Sequence, residues 1–175
     1  MSLTHRRARP DDEAALSAVM TLAIEQLQSP FLSPEQVRAS RAFMGIDRRL
    51  IADGTYFLVE AAGRIAGCGG WSRRATPYGG DHSAGRDDRL LDPGREAAKV
   101  RAMYTHPDHV RKGVGRLILE TSESAARAEG FTELEMAATM AGKPFYLRCG
   151  YEVESEWEDT NGPIAFPLAT MTKQL

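Results

Sequence analysis

Cysteine is scarce in this chain of 175 residues, which holds only Cys68 and Cys149. Two thiols can make at most one disulfide, so a disulfide-stapled scaffold is excluded, and their spacing offers no metal site. A basic surplus is lacking as well: 22 Lys and Arg stand against 24 Asp and Glu, for a formal net charge of −2. Proteins that hold nucleic acid usually carry a basic excess or stripe, so no such partner is expected. No uninterrupted apolar run approaches the ~20 residues of a membrane-spanning helix. The opening Met-Ser-Leu-Thr-His-Arg-Arg is basic with no apolar segment behind it, which does not fit a secretory signal. Internal repeats, low-complexity tracts and interdomain linkers are missing too. These absences predict a reduced, cytoplasmic protein with no membrane or nucleic-acid partner and no metal.

What is there is an ordinary globular composition, 42% hydrophobic and 26% charged. A chain of this length can bury roughly two-thirds of its unfolded surface, and one domain over residues 1–175 is expected. Its organising stretch is Val100-Arg101-Ala102-Met103-Tyr104-Thr105-His106-Pro107, continuing through Asp108 and His109 to Val110-Arg111-Lys112-Gly113-Val114-Gly115-Arg116. It reads as a strand, a Pro-marked turn, a basic glycine loop and a helix whose apolar or small face is Val114, Leu117, Ile118, Thr121 and Ala125. Such a loop presents unpaired N–H groups at the positive end of a helix dipole. Gly113 and Gly115 let the backbone approach a ligand, and Arg111, Lys112 and Arg116 add positive charge, which suits a pyrophosphate or other polyanion. A plain strand-to-helix turn has the same letters, and the loop lacks the Gly-Lys-Ser/Thr ending with which a nucleotide-binding P-loop holds Mg²⁺.

Around that unit, residues 3–9 alternate weakly as a short edge strand ended by Pro10. Asp11 or Asp12 caps a helix to about Gln28, with Leu16, Val19, Met20, Ala23 and Leu27 on one face. Ser33-Pro34-Glu35-Gln36 starts a second helix, expected to end near Met44-Gly45. Thr55 to Ala61 and Arg64 to Trp71 form a hairpin turning at Ala62-Gly63, with Gly67, Gly69 and Gly70 marking a bulge or a close backbone approach. Ser72 to Glu96 is a long loop with five Arg against four Asp and one Glu, either a solvated insertion or a lid that shapes a substrate site. Phe131 to Ala137 is a further strand. In Tyr151 to Glu158 four glutamates fall on one face and Tyr151, Val153 and Trp157 on the other. That acidic face either discourages edge pairing or draws in a cationic amine. Asn161-Gly162-Pro163 is a turn, and Ile164 to Met171 is the last strand.

Residues 97–153, ending in Pro144-Phe145-Tyr146-Leu147-Arg148-Cys149-Gly150-Tyr151, carry the order and spacing of a known family. The chain resembles the GNAT superfamily of acyl-CoA-dependent N-acyltransferases. There a strand near Tyr-x-x-Pro leads into a Gln/Arg-x-x-Gly-x-Gly/Ala loop, and a later helix carries Phe-Tyr-x-x-x-Gly-Phe/Tyr. The resemblance implies a single α/β (α+β) domain with a mixed, mostly antiparallel sheet, helices on both faces, and central strands that splay to admit acetyl-CoA. Two positions depart from the pattern. Val110 stands where the loop's opening Gln/Arg would, leaving that contact to Arg111, and Ala141 replaces an Asn found in many relatives.

The implied reaction is acetyl transfer from acetyl-CoA to a primary amine, which needs a held cofactor, a neutral amine, an oxyanion partner and an acid for the leaving thiolate. By resemblance, Arg111, Lys112, Gly113, Val114, Gly115 and Arg116 hold the pyrophosphate. The backbone of Met103, Tyr104 and Thr105 pairs with the pantetheine arm, with the N–H of Met103 or Tyr104 polarising the thioester. Tyr146 contacts the cofactor and is the general acid, its alternative being a core aromatic. For the base, Glu60, Glu135, His106 and Asp108 are open, and His106 and His109 read equally as surface residues. Attack in a ternary complex competes with a ping-pong route through Cys68 or Cys149, the latter also reading as an apolar filler. The acceptor is a small-molecule amine or a protein N-terminal or lysine amine. A homodimer is open, and so is a non-catalytic acyl-CoA-binding module.

Overall fold

The computed structural model describes residues 2–175. Its strands are β1 (Leu3–Arg7), β2 (Tyr56–Ala61), β3 (Arg64–Ser72), β4 (Ala98–Thr105), β5 (Glu133–Thr139), β6 (Glu152–Asp159) and β7 (Phe166–Gln174). They make one sheet in the order β1-β2-β3-β4-β5-β7-β6. Every neighbouring pair is antiparallel except β4 and β5. The helices are α1 (Glu13–Leu27), α2 (Pro34–Ser40), α3 (Arg48–Ala52), α4 (Val114–Ala128) and α5 (Lys143–Arg148). Helix α1 packs with Leu58, Cys68 and Tyr104 on one side of the sheet, while α4 packs with Val59, Ala61 and Ala66 on the other. The expected α/β architecture with helices on both faces is what forms. No helix among the described residues is long and apolar enough to cross a membrane.

The sequence reasons for the site's framework lie in β2 to β4. Ala62 and Gly63 both take left-handed backbone, with φ of 50° and 74°, the pair of conformations a two-residue hairpin turn requires. The glycines of β3 serve close approach. A Cβ on Gly67 would lie 2.5 Å from Val114 Cγ1, and one on Gly69 would lie 2.3 Å from Met103 Sδ. Bare backbone there lets α4 and β4 settle against β3. Opposite Gly69, the β4 register advances from Arg101 to Tyr104, so Ala102 and Met103 together face one residue. This is a β-bulge. Ala102 has φ of 52°, and its carbonyl accepts the Tyr56 hydroxyl proton at 2.7 Å.

On its other flank β4 meets β5 at only two residue pairs, Ala98 with Leu134 and Lys99 with Glu135. Beyond them β5 follows β7 to Thr139 while β4 runs on without a partner on that side. The two strands part, as the resemblance implied.

Several boundaries differ from the sequence reading. Asp12 precedes α1, but its carboxylate bonds Arg6 and the Arg9 N–H, leaving the helix without a side-chain cap. Helix α2 keeps its Ser33–Gln36 capping box yet stops at Ser40, whose hydroxyl turns back onto the Val37 carbonyl. The short α3 went unanticipated. The buried side of α4 is Val114, Ile118, Leu119, Ser122, Glu123 and Ala126, rotated from the expected stripe. Polar positions are tolerated there because Lys173 and Tyr151 pair Glu123, and Ser122 bonds the Ile118 carbonyl. Strand β5 begins two residues later than expected, and β7 spans Phe166–Gln174 rather than Ile164 to Met171. In β6 a register shift between Val153 and Ser155 breaks the alternation, so Val153 is exposed instead of sharing the covered side of Trp157.

Candidate active site

The parted strands open into a cavity of about 850 Å³. One end is the glycine loop. Gly113 (φ 85°) is the N-cap of α4 and supplies no side chain, so the first-turn N–H groups are left uncapped toward the cavity. Gly115 leaves the Phe145 ring 3.3 Å from where a Cβ would stand. Arg111 adopts left-handed backbone (φ 59°), a conformation that costs a non-glycine residue about 1–2 kcal/mol. The middle of the cavity is the unpartnered run of β4, Met103 to Thr105. Ala23, Ile24 and Leu27 of α1, joined by Phe31 and Met44, add an apolar wall.

Of the residues singled out in the sequence, Met103, Tyr104, Thr105, Arg111, Gly113, Val114, Gly115, Arg116 and Tyr146 all line this cavity. Lys112 does not, and its ammonium donates to the Asp108 carbonyl at 2.7 Å. Val110 and Ala141, the two departures from the family pattern, both line it. Tyr146 sits on α5 and is 8% exposed. Among the described residues its hydroxyl has no hydrogen-bond partner, and burial pushes its pKa well above the usual phenol value. Tyr104 is also buried and raised; its oxygen accepts the Gly45 N–H at 3.1 Å, leaving its own proton to give.

The base candidates fare differently. Glu60 pairs with Arg6 at 3.4 Å, Glu135 with Lys99 at 2.7 Å, and His106 Nδ1 accepts the Asp108 N–H at 3.1 Å. The Asp108 side chain is exposed. None of these four lines this cavity or the smaller one beside it. His109 does, with a buried, unpartnered Nδ1. Desolvation, then Lys112 and His106, lower its pKa and favour the neutral ring. Both thiols are free. Burial pushes Cys68 up to about 12 and also raises Cys149, and neither lines either of these two cavities.

A smaller cavity of about 100 Å³ adjoins the first. Met44, Met103, Tyr104, Thr139 and Tyr146 line both and mark the junction. Its outer wall includes Phe43, Tyr78, Met136 and Leu168. Tyr78 comes from the long loop, which is tied down at several points. Arg101, on β4 and 3% exposed, donates to Asp47 at 2.8 Å and to the carbonyls of Thr76 and Gly79. Arg86 also reaches Asp47, at 3.2 Å, and Arg74 holds Asp53 at 2.7 Å. These wall residues escaped the sequence reading, since only the fold gathers them.

The comparisons with known proteins agree with this architecture. The family model described as an acetyltransferase (GNAT) domain matches residues 52–153. No curated protein matches the chain. Among solved structures, a GCN5-related N-acetyltransferase from Rhodopseudomonas palustris is 24% identical, with a TM-score of 0.75 over 100% of this chain and 97% of that one. The PaiA N-acetyltransferase of Thermoplasma acidophilum, solved with coenzyme A, is 16% identical with a TM-score of 0.67 and full coverage of both chains. The Salmonella typhimurium protein yncA, solved with its cofactor acetyl-CoA, is 18% identical with a TM-score of 0.66 over 100% of this chain and 95% of that one. At these identities the structures speak for the fold. The family model covers more than half of the chain, and with the parted strands and the glycine loop it decides the assignment: the protein belongs to the GNAT acetyltransferase family.

Proposed function

We propose that this chain is a single N-acyltransferase domain that transfers an acetyl group from acetyl-CoA to a primary amine by direct attack in a ternary complex. The observation that carries the reading is the continuity of one cavity past an uncapped helix N-terminus, an unpaired strand and the unpartnered hydroxyl of a largely buried tyrosine. These features fit a long, thin ligand with phosphates at one end and amides along its length. Arg111, Arg116 and the backbone of residues 113–116 would bind the pyrophosphate. Unpaired N–H and C=O groups of Met103, Tyr104 and Thr105 would take up the amides of the pantetheine arm, as an edge strand takes up a new strand.

When bound, acetyl-CoA supplies an activated acetyl group as a thioester. A backbone N–H at Met103 or Tyr104 stabilises developing charge on the acyl oxygen. Tyr146 Oη is held protonated by its burial and gives its proton to the leaving sulfur. The raised thiols, both away from the cavities, favour direct attack over a covalent cysteine route. With no carboxylate at the junction, the amine's own deprotonated fraction sets the supply of nucleophile.

Calorimetric titration with acetyl-CoA, and separately with ATP, tests this on wild type and on a Gly113→Asp, Gly115→Asp double variant. Acetyl-CoA should bind wild type, ATP should not, and the variant should lose at least ~10-fold in affinity as carboxylates enter the phosphate end. A wild type that binds no acetyl-CoA would remove the functional reading.

A further inference from the structure

The acetyl-transfer reading leaves the acceptor unnamed, and the smaller cavity narrows it. Three methionines, Met44, Met103 and Met136, line that cavity together with Phe43 and Tyr78; the Met44 sulfur also accepts the Gln28 amide, and Met103 Sδ packs beside Gly69. Thioether sulfurs make favourable contacts at ring edges and adapt to flat groups. Among the described residues, no Asp or Glu lines either cavity. The one guanidinium at the smaller cavity, that of Arg101, is already spent on Asp47, Thr76 and Gly79.

The aromatic wall is also fixed in place. Tyr78 meets Phe43 edge-on at 5.8 Å and Trp157 at 5.6 Å, and the Arg101–Asp47–Arg86 clamp anchors its loop. The volume of about 100 Å³ is less than the roughly 150 Å³ of an apolar hole that accepts benzene, and the junction shared with the larger cavity supplies the remaining room for one ring. A second ammonium on the acceptor would be desolvated there without a counter-charge.

We propose that the acceptor is a primary amine carried on a compact, uncharged aromatic body, an arylalkylamine. The inference rests on the acetyl-transfer reading. The ring would occupy the smaller cavity and present the amine at the junction beside Met103, Tyr104 and Tyr146. There the amine nitrogen bonds to the acetyl carbon as the carbon–sulfur bond breaks. The sulfur keeps the electron pair and takes the Tyr146 Oη proton, and the proton shed by the amine returns through solvent to that oxygen.

The test follows thiol release from saturating acetyl-CoA with four acceptors: phenethylamine, benzylamine, spermidine and Nα-acetyl-lysine amide. The two aryl amines should exceed the others by at least ~10-fold in kcat/KM. Tyr78→Ala should erase most of that margin while acetyl-CoA affinity, read by calorimetry, stays within about twofold. A preference for spermidine or the lysine derivative, equal rates for all four, or no turnover of any by a protein that binds acetyl-CoA would overturn the inference. The last three results leave cofactor binding intact. Failure to bind acetyl-CoA would instead strike the reading beneath and take this one with it.

Discussion

Strand β4 treats its two neighbours in opposite ways. Toward β3 it is sealed: Gly67 and Gly69 bring the backbones and α4 together, and one bulge is locked by the Tyr56 hydroxyl. Toward β5 it is joined at Ala98 and Lys99 and then abandoned. Backbone groups inside a protein are nearly always paired, so an unfinished ladder next to a finished one is what the proposed pantetheine contact would complete. The stability of the first seam lets the second stay open.

The contrast can be broken from either side. The largest effect is expected on the sealed side, where Asp47→Ala strips the partner from buried Arg101 and from Arg86. Removing one member of a buried pair costs about 3–5 kcal/mol, read as a lower midpoint in urea unfolding, and Asp47→Asn should lose less. A loss below about 1 kcal/mol would mean the clamp does not hold the loop to β4.

On the open side Tyr146→Phe should leave thermal stability and acetyl-CoA affinity unchanged, because its hydroxyl bonds nothing among the described residues, yet slow turnover by roughly 10²-fold. Since burial raises this phenol's pKa, it stays protonated past its ordinary value near ~10. Wild-type rates should therefore climb with pH as the amine loses its proton, with no alkaline fall below about pH 10. A variant as fast as wild type would favour the non-catalytic acyl-CoA-binding module.

The smallest effect belongs to Arg111→Gly. Relief of the left-handed backbone, less glycine's entropy, should raise stability by about 0.5–1 kcal/mol in thermal unfolding. Acetyl-CoA affinity should fall several-fold, more so at low salt, since a phosphate contact is lost. A stability gain with unchanged affinity would show that Arg111 does not replace the basic residue missing at Val110.

Much of the sealed side was legible in the chain because its signals are local. Ala62-Gly63 marks a hairpin, Gly67, Gly69 and Gly70 mark close approach, and Pro107 with Gly113 and Gly115 frames the loop before α4. Tyr146 was found through the motif around it. The wall of the smaller cavity was not legible. Phe43, Tyr78, Met136 and Leu168 lie in four separate segments, and nothing periodic links them. The Arg101–Asp47 pair spans 54 positions, so neither residue announces the other. Helix α4 misled for a physical reason: its buried stripe includes Glu123, acceptable only because Lys173 and Tyr151 arrive from elsewhere.

The free flank of β4 is an edge strand kept indoors. Exposed edges recruit other chains and invite aggregation, and proteins blunt them with charge, bulges or cover. Here the edge lines a cavity that it shares with α1 and the glycine loop. A folded neighbour's strand, flanked by its own sheet, is too thick to enter. A single slender chain bearing amides is not. On the acetyl-CoA reading proposed above, recessing the edge acts as a filter on cross-section: it would offer strand-like recognition to a slender molecule and withhold it from another sheet.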